Sequence, residues 1–248
     1  MSYPPIRLFV VKTLVIFDGD DTLWFVEPLY DEARRQAKAV VTAAGLDGAE
    51  WEKTQRALDV EFVAKYGLSA ARFPASNIAA YRAVSERVGR EVEDSTIRAI
   101  QSAASTVFER DAGLAPDAAR VLGDLRQGDH ELALLTRGDR RVQERRIEAS
   151  GLGTYFSSID VVPAKDKATF EMIAAKFDLP PARAWSIGNS LASDIYPALE
   201  AGMKAVWIDA HVWEYERRRV EEVAGHILRA TALADIPVLI GAHAPQTT

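Results

Sequence analysis

Residues 13–24, TLVIFDGDDTLW, decide the fold. The run 13–17 is apolar on both faces and empties into Asp18, Asp20, Asp21 and Thr22. A run without polar alternation is what a strand buried in a parallel sheet requires, because crossover helices cover both of its faces. Similar short runs follow at 131–135, 157–162, 184–187 and 204–208, each bounded by polar or turn residues. Helical patterns separate the later runs, over 140–150, 166–177 and 191–201, with Gly151 and Gly202 where a helix C-terminus favours positive φ. The alternation predicts an α/β fold with a doubly wound, Rossmann-like parallel sheet.

The gap between the first and second strands is too long for a single crossover. Leu29, Ala33, Ala37, Val40, Val41 and Ala44 share one helical face, and Ile97, Ile100, Ala104, Val107 and Phe108 share another. Further helical patterns open at Trp51, running to Tyr66, and at Pro74, running to Val88. The expected organisation is a core of residues 1–26 and 116–248 interrupted by an all-helical cap at 27–115. After residue 208 a charged helix is expected at 214–226, peripheral packing at 236–240, and a frayed tail at 242–248.

Composition narrows the function classes. The chain has 248 residues, 48% hydrophobic and 27% charged, the make-up of an ordinary globular protein able to bury a core without staples. It contains no cysteine, which excludes disulfide frameworks, thiolate metal sites and cysteine nucleophiles. A net charge of −6 argues against nucleic acid or an anionic membrane as the main partner. Near the N-terminus the apolar run Leu8 to Val11 stops at Lys12, too short for a signal-peptide core or a membrane span, so a cytoplasmic location is expected.

Ligands of open α/β sheets gather at the carboxyl ends of the strands, where Asp18, Asp20 and Asp21 stand. Like charges this close need a cation or a proton between them, and a hard divalent cation with oxygen ligands suits the need. A solvated acidic turn is the plainer alternative. An EF-hand loop fails, because its sixth position must be Gly and here is Leu23. Neither P-loop nor dinucleotide-binding glycine spacing occurs, and His130, His211, His226 and His243 lack the pairing of a zinc-binding helix.

FDGDDTLW resembles the first motif, D-x-D-x-[TV], of the haloacid dehalogenase superfamily in its phosphatase branch. Three more motifs of that family follow in order, each at the end of an expected strand. ELALLTRGD supplies Thr136, VVPAKDKATF offers Lys165 or Lys167, and WSIGNSLASD supplies Asn189, Ser190 and Asp194. The resemblance spans about residues 12–208, with the inserted helices matching a type 1 cap.

That resemblance implies a phosphatase acting on a small phosphorylated metabolite. Asp18 would be the nucleophile, forming an aspartyl phosphate, and Asp20 the acid and base. Mg2+ would be held by Asp18, the backbone carbonyl of Asp20, Asn189 and Asp194. Thr136 would bind a phosphoryl oxygen, and a lysine would neutralise charge beside Asp18. Lys165 is favoured because it precedes Phe170 at the spacing of relatives in this branch, with Lys167 left open. Many relatives carry Asp where this chain has Asn189, which leaves Asp194 to supply more of the attraction for the metal.

A dehalogenase proper fits poorly, since that branch lacks the second aspartate that Asp20 provides. A phosphomutase of the same fold stays open, as does a non-catalytic binding or regulatory protein of this fold. Trp24 and Phe25 are expected at the junction of core and cap, and Arg137 beside Thr136 is as well suited to phosphate as to solvent. Tyr66, Arg72, Asn77 and Tyr81 are the cap candidates for substrate contact. The motifs leave the substrate and the oligomeric state open.

Overall fold

The structure, a computed structural model, describes residues 13–128, 130–209 and 227–243. The described residues open with β1 (Thr13–Phe17) and the short β2 (Trp24–Phe25). It then runs through α1 (Glu27–Ala43), α2 (Gly48–Tyr66), α3 (Arg72–Arg87) and α4 (Asp94–Ser105), and returns through β3 (Gly113–Leu114), antiparallel to β2. Strand and helix alternate from there: α5 (Ala118–Gln127), β4 (His130–Arg137), α6 (Arg140–Ser150), β5 (Ser158–Val162), α7 (Lys167–Lys176) and β6 (Ala184–Gly188). The last elements are α8 (Tyr196–Glu200), β7 (Lys204–Ile208), β8 (Ile227–Ala230) and α9 (Ile236–Ala242).

Six of the strands make one parallel sheet in the order β5-β4-β1-β6-β7-β8. The chain fills one side of β1 with β4 and β5, then crosses to the other side with β6. The crevice at the carboxyl end of β1 is therefore the topological switch point, where ligands of such sheets bind.

Both faces of β1 are covered, as its unbroken apolar run requires. Val15 and Phe17 pack with Val121, Leu122 and Leu125 of α5 and with Ile236 and Ile240 of α9. Leu14 and Ile16 pack on the opposite face with Phe170, Ile173 and Ala174 of α7 and Ala198 of α8. Each such buried side chain contributes roughly 1.5–3 kcal/mol relative to exposure. The inserted helices bury their own cluster, in which Ala37 and Val41 of α1 meet Trp51, Ala80, Tyr81, Val84 and Ile100. Tyr30, Ala33, Phe73, Ala104 and Val107 join the core cluster and so tie the helical insertion to the sheet.

Local signals explain the element ends. Asp139 caps α6 by accepting from the N–H groups of Arg141 and Val142, and Gly151 ends it with φ +67°. Gly202 likewise has φ +81°. Helix α3 begins two residues ahead of Pro74, which falls in the first turn, where its missing N–H has no intrahelical partner to lose.

Three expectations need correction. The sheet gains an edge strand, β8, whose four residues are too short to stand out by pattern. The pattern over 191–201 is not one helix: Leu191–Ile195 form a π turn, and regular helix begins at Tyr196. The stretch 236–240 is not peripheral, because Ile236 and Ile240 are almost fully buried in the core. The helix expected at 214–226, with His211 and His226, lies outside the described residues, as does most of the tail. Among the described residues no helix is long and apolar enough to cross a membrane.

Candidate active site

The carboxyl end of β1 delivers Asp18 into the crevice. Its backbone N–H donates to the Ile187 carbonyl at 2.9 Å, so the ladder to β6 fixes the main chain there. Asp18 is 9% exposed, and its Oδ1 contacts the ammonium of Lys165, which reaches in from the loop between β5 and α7. Lys165 also lies 2.7 Å from Asp194 Oδ1. Lys167, by contrast, is exposed and pairs with Glu171 on its own helix at 3.6 Å.

The π turn after β6 aims Asp194 back at the strand end. Its Oδ2 accepts from the Ser190 N–H at 2.9 Å, and its backbone carbonyl accepts from the Ser186 hydroxyl at 2.8 Å. The extra residue in the turn turns the carboxylate inward, a recurrent role for π bulges at functional sites. Asn189 is buried beside it, with its Oδ1 3.4 Å from the Thr22 hydroxyl. The same hydroxyl donates to Asp18 Oδ2 at 3.1 Å, so Thr22 both closes the turn after β1 and orients the carboxylate.

The three aspartates of the first motif part company. Asp21, at φ +57°, turns away and accepts from the N–H groups of Val26 and Glu27 at 2.9 and 3.1 Å, fastening the entry to α1. Asp20 stays at the crevice, held by three donors. Trp24 Nε1 donates to its Oδ1 at 2.7 Å, while Gln143 Nε2 and Arg146 Nη1 donate to its Oδ2 at 2.8 and 2.7 Å. Thr136, on β4, is 1% exposed and its hydroxyl has no hydrogen-bond partner, a donor held ready for an oxygen in the crevice.

These groups line a single cavity of about 80 Å³. Asp18, Asp20, Thr136, Lys165, Asn189 and Asp194 form its floor, and Arg137 also reaches it. The inserted helices roof it with Tyr30, Leu68, Arg72 and Phe108. Of the four cap candidates, only Arg72 is at the wall. Tyr81 is buried and its hydroxyl accepts from the Glu93 N–H, Asn77 is buried within α3, and Tyr66 stacks with Phe62 and Lys65. Tyr30, Gln143 and Arg146 escaped the motif reading. The signal available for the last two was polar residues three apart at positions of α6 that face the core.

The electrostatics favour a cation or a proton shared among these groups. Burial pushes the Asp18 carboxyl from 3.8 up to about 7, with the Lys165 ammonium pulling it down and Asp194 adding to the rise. Burial alone would lower the Lys165 ammonium, but Asp18 and Asp194 outweigh it and hold it raised. One ammonium between two buried carboxylates leaves a net negative charge in a dry place. The oxygens of Asp18, Asp194, Asn189 and the Asp20 backbone are hard donors that fit a divalent cation. Among the described residues no three His, Cys, Asp or Glu side chains gather to hold a metal, so a metal held here would need an amide or main-chain oxygen as well.

A family model for haloacid dehalogenase-like hydrolases matches residues 12–202. The chain belongs to this family. Among solved structures, a haloacid dehalogenase-like hydrolase from Xanthomonas campestris superposes with a TM-score of 0.78 and 29% identity, covering 93% of this chain and 95% of that one. A glyceraldehyde 3-phosphate phosphatase of Methanopyrus kandleri is 28% identical over 78% of this chain and 82% of its own length. A phosphoserine phosphatase of Thermus thermophilus is 31% identical over 39% of this chain, and the match spans only 41% of that relative. The match of this haloacid dehalogenase-like hydrolase to its family takes in the chain from β1 through α8, the inserted helices included.

Proposed function

We propose that the protein is a magnesium-dependent phosphatase that hydrolyses a small phosphorylated metabolite through an aspartyl phosphate. The observation that carries this reading is the Asp18–Lys165 contact at the switch point, with Asp20 two residues on and held separately. The names of the relatives, two of them phosphatases of small phosphorylated metabolites, support the same class.

In the first step an Asp18 oxygen attacks phosphorus, the ester P–O bond breaks, and the leaving oxygen takes a proton from Asp20. Asp20 Oδ1 accepts one hydrogen bond, from Trp24, and keeps a second lone pair for that proton. In the second step water attacks the aspartyl phosphate and gives its proton to Asp20, releasing inorganic phosphate and restoring Asp18. Lys165 neutralises charge at Asp18 throughout, and the Thr136 hydroxyl donates to a phosphoryl oxygen. Mg2+, bound by Asp18, the Asp20 carbonyl, Asn189 and Asp194, would offset the repulsion between carboxylate and phosphate.

Release of inorganic phosphate from p-nitrophenyl phosphate and acetyl phosphate tests this directly. Magnesium-dependent release that disappears in Asp18→Asn is expected. Release no greater than that of Asp18→Asn, across a broad panel of phosphoesters, overturns the proposal.

A further inference from the structure

Two buried arginines meet at the cavity from opposite sides. Arg146 rises from α6 of the core and is 5% exposed; Arg72 descends from α3 of the helical insertion and is 3% exposed. Both line the cavity, as does Tyr30. Burial raises the pKa of the Tyr30 hydroxyl, with Arg146 and Arg72 pulling it down and Asp20 adding to the rise.

Neither arginine is placed as packing alone would place it. Arg146 gives Nη1 to Asp20, but its Nη2 is buried without a hydrogen-bond partner. A buried donor left unmatched costs stability unless a ligand completes it. Arg72 ends a buried polar chain that crosses the insertion. Arg34 Nε donates to Gln55 Oε1 at 3.2 Å, Gln55 Nε2 to Ser76 Oγ at 3.1 Å, and Ser76 Oγ to Asp59 Oδ1 at 2.9 Å, while Asp59 Oδ2 accepts from Arg72. Buried ionic networks seldom improve stability over apolar packing; their return is the fixed position of a charged group. Here the group so fixed lines the same cavity as Asp18 and Thr136.

The roof contributes one cation, one hydroxyl and the apolar Leu68 and Phe108, and no carboxylate. A cationic leaving group would find no counter-charge from the insertion, and on the core side only Asp139 beyond the floor groups. The volume of about 80 Å³ is small beside the roughly 300–1,000 Å³ of a pocket for a drug-sized ligand, which favours a short leaving group.

We propose that Arg146 and Arg72 form a carboxylate subsite beside the phosphoryl site, making the substrate a phosphorylated short hydroxy acid. This rests on the phosphatase reading and deepens it. Arg146 then has two duties, positioning Asp20 through Nη1 and reading the leaving group through Nη2.

The test compares 2-phosphoglycolate with ethyl phosphate, which lacks the carboxylate, and with O-phosphoethanolamine, which replaces it by an ammonium. The wild-type protein with Mg2+ is expected to favour 2-phosphoglycolate over ethyl phosphate in kcat/KM by about tenfold or more, and to use O-phosphoethanolamine least. In Arg146→Gln and in Arg72→Gln the preference should fall to within about threefold, mostly through KM. Loss of Asp20 positioning would slow all three esters together and leave the ratio intact, so the ratio separates the two duties of Arg146. Where Arg72→Gln does not fold, Arg146→Gln and Arg146→Lys carry the test. Equal use of 2-phosphoglycolate and ethyl phosphate, preference for O-phosphoethanolamine, or a ratio unchanged in the Arg146 variants overturns the subsite. If no ester, p-nitrophenyl phosphate included, is hydrolysed, the phosphatase reading itself fails. Calorimetric binding of 2-phosphoglycolate and ethyl phosphate to the same protein then decides the subsite: about tenfold tighter binding of the former upholds it, and equal binding ends it.

Discussion

Lys165 Nζ stands 2.7 Å from Asp194 Oδ1 while touching Asp18, so one ammonium joins carboxylates delivered by two different strand ends. Removing one member of a buried ionic group leaves the others uncompensated, at a cost of about 3–5 kcal/mol. Lys165→Met is therefore expected to lose about 3 kcal/mol or more in urea unfolding at pH 8, and to turn over at least about 100-fold more slowly. Lys167→Met, whose ammonium is exposed beside Glu171, should change stability by less than about 0.5 kcal/mol and leave turnover nearly intact. Comparable losses at the two positions would show that the contact with Asp18 is not the one that matters.

Asn189 provides an amide oxygen where a carboxylate would bring a further negative charge. Asn189→Asp should lower the magnesium concentration for half-maximal turnover by about tenfold, since one more charge at a hard-oxygen site favours the cation. A magnesium titration of phosphate release measures this. An unchanged midpoint would mean that the Asn189 side chain does not face the metal.

Gly188 lies against the Asp194 side chain, with no room for a Cβ. A Cβ there would lie 2.3 Å from Asp194 Oδ2, so the carboxylate or the strand end has to move. Gly188→Ala is expected to cost about 1–3 kcal/mol in thermal or urea unfolding and to reduce turnover by about 100-fold. Full activity with normal stability would show that Asp194 has room that the packing around it denies.

Glu27, at the start of α1, makes the protein's stability depend on pH. Burial pushes its carboxyl from 4.5 up to about 7, although Arg34 at 4.0 Å pulls it back. The folded state therefore holds the proton more tightly than the unfolded chain does. The stabilisation this brings is complete below pH 4.5 and is lost as pH rises through about 7. Glu27→Gln cannot lose a proton. Its stability relative to wild type should improve by on the order of 2 kcal/mol between pH 4.5 and pH 8, read from urea midpoints across that range. A difference that stays flat with pH would contradict the burial assigned to this carboxyl.

Much of the core was legible from local pattern. The run 13–17 is apolar on both faces because both faces are buried, so the chemistry of each residue states its environment directly. The helical insertion was legible for the same reason, since Ala37, Val41 and Ile100 recur at the helical period and face one cluster. Strand β8 and the π turn were not. Four edge residues carry too little pattern, and the turn at 191–195 depends on hydrogen bonds within a loop, not on periodicity.

The site divides in the same way. Asp18 and Asp20 could be named from their place at the end of an apolar strand, and Thr136, Asn189 and Asp194 from the resemblance of the later motifs to those of the haloacid dehalogenase superfamily. Which lysine meets Asp18, which aspartate of the first motif turns away, and which donors reach Asp20 were decided by tertiary packing. Gln143 and Arg146 are more than a hundred residues from Asp20, and Arg72 comes from a different layer of the molecule. Contacts between distant segments depend on how helices are laid against the sheet, and no local pattern records the meeting of two side chains across a cavity. The alternation of strand and helix and the carboxylates at the end of β1 were properties of the chain; the arginines that line the cavity beside them belong to the fold.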